Sequence, residues 1–273
     1  MGIWLGPRGR SGIETGDFLY SGNYLFKSDG HGNWEMALLD GRAATLQFLK
    51  NPGKVDLFLV AGGQTAKYYN GTPQNAQYGP SHGGIGGNGG ETLTMRGVQL
   101  STGTAYSVSI GGSDQNTTFS GGGESLIAVG GNGLPGGEGG VSTQNGPTHA
   151  PTVSDGVYAY GDVSDTLMFT ETEFPGHLFG APGGGGGSML YVNQSNNSAG
   201  ALGGESNGPD HEYGKGGVYN PYARNGSQGY PRHGQGGGGP YFWFTGSASR
   251  YGDGTDAALG IGGSGVMFIR NAR

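Results

Sequence analysis

Hydrophobic positions along this chain come in short bursts, not in long stripes. "DFLYSGNYLF" (17–26), "WEMALL" (34–39), "ATLQFL" (44–49) and "KVDLFLV" (54–60) are rich in aromatic and β-branched residues and are separated by Gly, Asn, Asp or Pro. Further on, "TAYSVSI" (104–110) alternates with a period of two, placing Tyr106, Val108 and Ile110 on one face and Ser107 and Ser109 on the other. "SLIAV" (125–129) and the closing "GVMFIR" (265–270) complete the set. No stretch carries the three-to-four spacing of an amphipathic helix. The pattern predicts an all-β fold in which strands 55–60, 104–110, 125–129 and 265–270 share one core. Val55, Leu57 and Leu59 should point to one side, with Val266 and Phe268 in a buried last strand.

Between the bursts lies a second texture. Glycine supplies 65 of 273 residues, more than three times its usual share of about 7 %. "GGIGGNGG" (83–90) contains Gly84 and Gly87, and "GGNGLPGGEGG" (130–140) contains Gly130, Gly133, Gly136 and Gly139, all at a spacing of three. Gly185 is the middle residue of five consecutive glycines at 183–187. Three residues per turn is the repeat of the polyproline-II helix, which rises about 3.1 Å per residue and makes no internal hydrogen bonds, so eight residues form a rod of roughly 25 Å. Such rods must satisfy their N–H and C=O groups sideways if buried. Without Cβ atoms, neighbouring rods can approach closely enough to do so. The competing reading is a set of flexible glycine linkers. Against it, the runs lack serine filler and abut strands, as in "VAGG" (60–63), "IGG" (110–112) and "VGG" (129–131). The expectation is lateral backbone bonding at 83–90, 130–140 and 183–187.

Composition narrows the classes. Aromatics at 11 %, charged residues at 12 % and a net charge of −6 describe a folding chain with glycine added, not a charged disordered one. Proline, at 13 residues, is too sparse for collagen. The absence of Cys excludes a disulfide scaffold and thiolate metal sites. The acidic balance argues against nucleic acid as a partner. "MGIWLGPRGR" lacks the apolar core of a secretory signal, and "VDLFLVA" (55–61) falls far short of the roughly 20 residues that cross a bilayer. A soluble chain, made in the cytoplasm and not inserted in a membrane, is therefore expected.

Catalytic signatures are absent. The G-x-G-x-x-G match at Gly84–Gly89 has no helix after it to meet a pyrophosphate, and glycine this abundant makes such matches by chance. Neither a phosphate loop nor a G-x-S-x-G elbow occurs. The six histidines are scattered, and "GDGTD" (252–256) offers only Asp253 and Asp256 to a cation. No cofactor, no metal and no catalytic residue is expected. What is concentrated instead is a mixture of Tyr, Asn, Ser, Gly and Arg in "YVNQSNNS" (191–198), "HEYGKGGVYNPYARNGSQGYPRHGQ" (211–235) and "PYFWFTGSASRYGDG" (240–254). Rigid amphipathic rings combined with adaptable hydrogen bonding make a binding surface, and rings with amides also suit sugars. Candidate receptor-binding residues are Tyr213, Tyr219, Tyr222, Arg224 and Tyr230, with Tyr191, Tyr241 and Trp243 in support. The alternative, for "YFWF" (241–244) above all and for the tyrosines at 213–230 as well, is that the rings anchor strands.

The order of these motifs carries a resemblance. "GNYLFKSDGHGNWEMALLDGRAATLQFL…GKVDLFLVAGG", then glycine runs, "GVQLSTGTAYSVSIGG", "SLIAVGGNG" and a final "GGSGVMFIR" resemble the glycine-rich domain of phage and prophage tail proteins. The layout is also similar to the glycine-rich domain of anaplastic-lymphoma-kinase-type receptors and, more loosely, to the polyglycine adhesin tips of T-even-like phages. The resemblance covers about residues 17–273 and leaves 1–16 as an N-terminal attachment segment. It implies a β-sandwich of jelly-roll or TNF-like type carrying inserted polyglycine-II helices. It also implies a tail-fibre adhesin of the virion, made in the host cytoplasm, that recognises a bacterial surface receptor (glycan or protein) without catalysis. Its other partners would be tail-fibre proteins bound through the N-terminal segment, with a homotrimer as the candidate assembly. "VAGGQTAKYYNG" (60–71) departs from the family, where a longer glycine run is usual, so the first bundle element is expected to be short or to begin near residue 83. The alternative is a bacterial surface or matrix protein with a structural role.

Overall fold

The computed structural model describes residues 12–68, 82–85, 87–131, 241–242 and 260–272. These form thirteen strands and, among the described residues, no helix. In chain order they are β1 (Phe18–Tyr20), β2 (Tyr24–Ser28), β3 (Trp34–Leu38), β4 (Ala44–Phe48), β5 (Lys54–Val60), β6 (Lys67–Tyr68), β7 (His82–Ile85), β8 (Thr92–Gln99), β9 (Ala105–Ser109), β10 (Thr117–Gly121), β11 (Glu124–Ala128), β12 (Tyr241–Phe242) and β13 (Val266–Asn271). Two five-stranded antiparallel sheets dominate, one in the order β1-β4-β9-β10-β11 and the other β2-β3-β13-β5-β8. A small third sheet runs β12-β7-β6.

Alternation builds the core. Trp34, Met36 and Leu38 of β3, Val55, Leu57 and Leu59 of β5, and Met267 and Ile269 of β13 meet Phe18, Leu46, Phe48, Tyr106, Val108, Phe119, Leu126 and Ala128 of the other sheet in one buried cluster. Tyr106 and Phe119 stack with ring centroids 5.1 Å apart, and the Tyr106 hydroxyl accepts a bond from Ser101 N at 2.7 Å. A fully buried aromatic of this kind keeps its polar end satisfied. The four strands expected to share a core do share it. The last strand does so through Met267 and Ile269, whereas Val266 and Phe268 are buried on the sheet's other face.

The expected strand over 17–26 breaks at 21–23, and its halves go to different sheets as β1 and β2. The break is a fastened turn. Asn23 donates to both carboxylate oxygens of Asp40, from N at 2.8 Å and Nδ2 at 2.5 Å, and the Tyr20 hydroxyl donates to Asp40 O at 2.6 Å. Burial first, and the Asp40 carboxylate second, push the Tyr20 phenol well above its ordinary pKa. β5 and β8 carry a bulge between Val55 and Leu57, where Gly97 takes a φ of +65° and its N–H donates to Asp56 Oδ1 at 3.0 Å. Asp56 pairs with Arg270 of β13 at 3.3 Å, both side chains buried.

The antiparallel registers give the molecule two distinct poles. Residues 12–17, the turns 28–33 and 49–53, and residues 270–272 lie together at one end. There Lys50 Nζ donates to Gly12 O, Trp34 N to Asn271 Oδ1 and Ala272 N to Lys54 O. The end of β5, the start of β8, the ends of β9 and β11 and the start of β13 lie at the other. We call these the terminal pole and the bundle pole.

Candidate functional site

Beyond the strand ends of the bundle pole the chain continues outside the sheets, and segment 61–66 lies at the centre. Its six N–H groups are donated in a cycle of three. Ala61 and Gln64 donate to Glu91 O (2.9 Å) and Asn88 O (2.7 Å), both on segment 87–91. Gly62 donates to Gln115 O at 3.0 Å and Thr65 to the Asp114 carboxylate at 3.1 Å, both on segment 111–116. Gly63 and Ala66 donate to Gly263 O (2.8 Å) and Gly260 O (2.9 Å), on segment 260–265. Successive residues therefore face three different neighbours, and every third residue returns to the same one. An extended segment with no bonds of its own satisfies its backbone in this way. Bonds come back to it as well: Gly131 N donates to Gly62 O and Asp114 N to Gly63 O, each at 2.9 Å. The neighbours are tied to one another by Gly265 N to Gly111 O (2.8 Å) and Glu91 N to Val129 O (3.0 Å).

Glycine is needed here for approach more than for torsion. A Cβ on Gly62 would stand 1.7 Å from Gly112 O, on Gly87 1.8 Å from Gln64 O, on Gly262 1.9 Å from Gly63 O and on Gly265 2.0 Å from Val60 O. All four obstacles are backbone, which cannot rotate aside. The non-glycine residues of the central segment do other work. Thr65 Oγ1 donates to Asp114 Oδ2 at 2.6 Å, and Asp114, at a φ of +61°, turns its carboxylate back to accept Thr65 N. Gln64 Oε1 accepts Asn88 N at 3.4 Å. Side chains thus stand in for carbonyls where the 111–116 segment turns away.

The glycine residues singled out from sequence divide. Gly87 and Gly130 belong to the packed backbone, and Gly130 N donates to Asn116 Oδ1 at 2.9 Å. Gly84 sits in β7, paired with Tyr68 in an antiparallel ladder, so the lateral contact expected across 83–90 begins at Gly87. Gly133, Gly136, Gly139 and Gly185 lie outside the described residues, as do Tyr191, Tyr213, Tyr219, Tyr222, Arg224, Tyr230 and Trp243. Of the candidate binding residues only Tyr241 is described, by its backbone alone, opposite Gly83 in β12. The glycines that do most at this pole, Gly62, Gly111, Gly262 and Gly265, come from short runs at strand ends. Their signal is glycine beside a strand end, after it in "VAGG" (60–63) and "IGG" (110–112) and before it in "GGSGV" (262–266).

Three long stretches lie outside the described residues beside this pole: 69–81 follows Tyr68 and rejoins at His82, 132–240 follows Gly131, and 243–259 rejoins at Gly260. Gly131 and Gly260 are both bonded to the central segment. Electrostatically the pole is quiet. Among the described residues no three His, Asp or Glu side chains gather where a metal could bind. At the terminal pole the Asp29 carboxyl is held below its usual range because it accepts His31 N at 2.7 Å and Asn33 Nδ2 at 2.6 Å. The arrangement is a set of backbone segments hydrogen-bonded laterally to one another. No family model and no curated protein matches the chain.

Proposed function

We propose that this protein is a tail-fibre tip adhesin of a phage or prophage, which binds a bacterial surface receptor, glycan or protein, and catalyses nothing. On this reading the two large sheets are a jelly-roll or TNF-like sandwich. The segments at the bundle pole are the first rods of a polyglycine-II bundle, and the bundle is the stem for receptor-binding loops. The observation that carries the reading is the three-residue cycle of hydrogen bonds around 61–66, the repeat that a polyproline-II rod requires of its neighbours. The polarity of the molecule supports it too. Gly12, where the N-terminal segment proposed to attach to other tail-fibre proteins joins, lies at one pole. Gly131 and Gly260, which flank the Tyr-rich stretches, lie at the opposite one. A homotrimer is the proposed assembly.

The proposed binding residues are Tyr213, Tyr219, Tyr222, Arg224 and Tyr230, assisted by Tyr191, Tyr241 and Trp243. Rings and guanidinium groups dominate hot spots because they bury much surface while losing few rotors. The protein would then reside in the virion after synthesis in the host cytoplasm, with no cofactor and no nucleic-acid partner.

The test is a Tyr222→Ala, Arg224→Ala double variant, checked for an unchanged melting transition and then for adsorption to host cells. A loss of about 2 kcal/mol, roughly thirtyfold in affinity, is expected. Full adsorption by the folded variant would contradict this placement of the site. A bacterial surface or matrix protein, the alternative, would be retained on the producing cell and would not sediment with virions.

A further inference from the structure

Among the described residues one asparagine is followed directly by glycine, Asn88 in segment 87–91. Such a step can modify itself. Glycine has no side chain to shield its amide, so Gly89 N can attack Asn88 Cγ. The new N–Cγ bond closes a succinimide ring, the Cγ–Nδ2 bond breaks, and Nδ2 leaves as ammonia with the Gly89 amide proton. Water then opens the ring at either carbonyl. Opening at Cγ gives aspartate, whereas opening at the main-chain carbonyl gives isoaspartate, whose backbone path is one atom longer.

In the folded chain Asn88 is held by its backbone and by its side chain. Asn88 O accepts Gln64 N at 2.7 Å, Asn88 N donates to Gln64 Oε1 at 3.4 Å, and Asn88 Nδ2 donates to Gly131 O at 3.4 Å. Ring closure sets the torsions about both the Cα–C and the Cα–Cβ bonds of Asn88. Turning the first moves the carbonyl off Gln64, and turning the second moves the amide off Gly131. The surrounding backbone leaves no slack for either. A Cβ on Gly87 would stand 1.8 Å from Gln64 O and one on Gly90 2.2 Å from Ala61 O, and Gly87, Gly89 and Gly90 are all buried. At the end of the segment Ala61 N donates to Glu91 O at 2.9 Å and Glu91 N to Val129 O at 3.0 Å. The step can therefore react once segment 87–91 has parted from 61–66, and not before.

The products do not fit back. Aspartate at 88 would set a carboxylate oxygen where Nδ2 now donates to the Gly131 carbonyl, and an ionised carboxylate can only accept. Isoaspartate would insert a backbone atom between Gly87 and Gly90, both packed on the central segment without room for a methyl group. We propose that Asn88-Gly89 is a latent self-modifying step, protected while the bundle pole is closed, which converts once the pole opens and makes that opening irreversible. The inference stands on the backbone packing of this pole and is independent of what the protein binds.

The test incubates the folded full chain and a synthetic peptide of residues 84–92 in the same mildly alkaline buffer and follows Asn88 by peptide mapping in a mass spectrometer. Asn88 should convert at least about tenfold more slowly in the folded chain, because only opened molecules react. Gly87→Ala, which forces segment 87–91 off Gln64, should speed the conversion at a temperature where the sheets stay folded. Asn88→Asp stands in for the aspartate product. In it the Gly131 amide, bonded to Gly62 O in the parent, should lose its protection from hydrogen exchange while β5 and β13 keep theirs. Equal rates in chain and peptide would overturn the protected step, and a fully protected Gly131 amide in folded Asn88→Asp would overturn the irreversible opening. The first comparison uses the unaltered chain, so it decides even if Asn88→Asp fails to fold.

Discussion

Adding one methyl group at Gly62 should be among the most damaging single changes in the molecule. A Cβ there would sit 1.7 Å from Gly112 O and 2.7 Å from Gly112 C, whereas ordinary contact needs about 3.5 Å. Segments 61–66 and 111–116 would have to part by about 1.5–2 Å. Three bonds donated by backbone amides span that contact: Gly62 N to Gln115 O at 3.0 Å, Asp114 N to Gly63 O at 2.9 Å and Thr65 N to Asp114 at 3.1 Å. A shift of this size takes them outside hydrogen-bonding range. Each loss costs about 1 kcal/mol, and up to about 3 where a buried group is left unmet, so Gly62→Ala should destabilise by roughly 3–6 kcal/mol. For a domain of this size that lowers Tm by roughly 2–4 °C per kcal/mol. Gly53→Ala is the control. Gly53 has a φ of +71° but nothing within 4 Å of a Cβ, so it carries only the left-handed strain of about 1–2 kcal/mol. Urea and thermal unfolding of both variants read the difference. Gly62→Ala within the range of Gly53→Ala would refute the close-packed backbone.

Two further outcomes follow from buried polar groups. Arg270→Met leaves the Asp56 carboxylate buried without its ion pair and should cost about 3–5 kcal/mol in urea unfolding; a variant within about 1 kcal/mol of the parent would contradict a structural pair. Tyr20 has its phenol pKa raised by burial and by Asp40, so unfolding releases its proton only above about pH 10. Stability that is intact below that pH is lost as pH rises through the window above it. Tyr20→Phe should flatten this alkaline decline measured by thermal melts, and an unchanged decline would remove Tyr20 as its source.

Much of the sandwich-like framework can be read in the chain, because burial writes itself as alternation. The bursts at 34–39, 44–49, 54–60, 104–110, 125–129 and 265–270 coincide with β3, β4, β5, β9, β11 and β13 to within a residue or two. β8 is harder to see. Its "TLTMRGVQ" is interrupted by the bulge at Gly97, which breaks the period of two. β10, "TTFSG", shows only Phe119 as a core signal. The last strand is apolar on both faces, so its sequence cannot say which side meets the shared core; Met267 and Ile269 do. The bundle pole is legible in kind more than in place. A spacing of three draws attention to the long runs, yet the central segment, 61–66, holds only two glycines. Gln64, Thr65 and Ala66 take part because backbone bonds need only extended chain, and glycine is required just where a neighbour's backbone comes within about 2 Å of the Cβ position. Sequence spacing does not reveal those points of approach, nor that Asp114 caps Thr65 from a segment far away in the chain.

The central claim is that glycine backbone at the bundle pole is ordered structure and not linker. Amide hydrogen exchange on a chain labelled with ¹⁵N-glycine addresses it directly, since Gly62, Gly63, Gly131 and Gly265 all donate to carbonyls in the lattice. Gly103, whose amide is bonded to Phe48 O at the terminal pole, supplies a comparison from an ordinary turn. Gly62, Gly63 and Gly265 should exchange only through global unfolding, as slowly as the amides of β5 and β13. Exchange of these glycines at the rates of an unstructured peptide, while β5 and β13 stay protected, would contradict it.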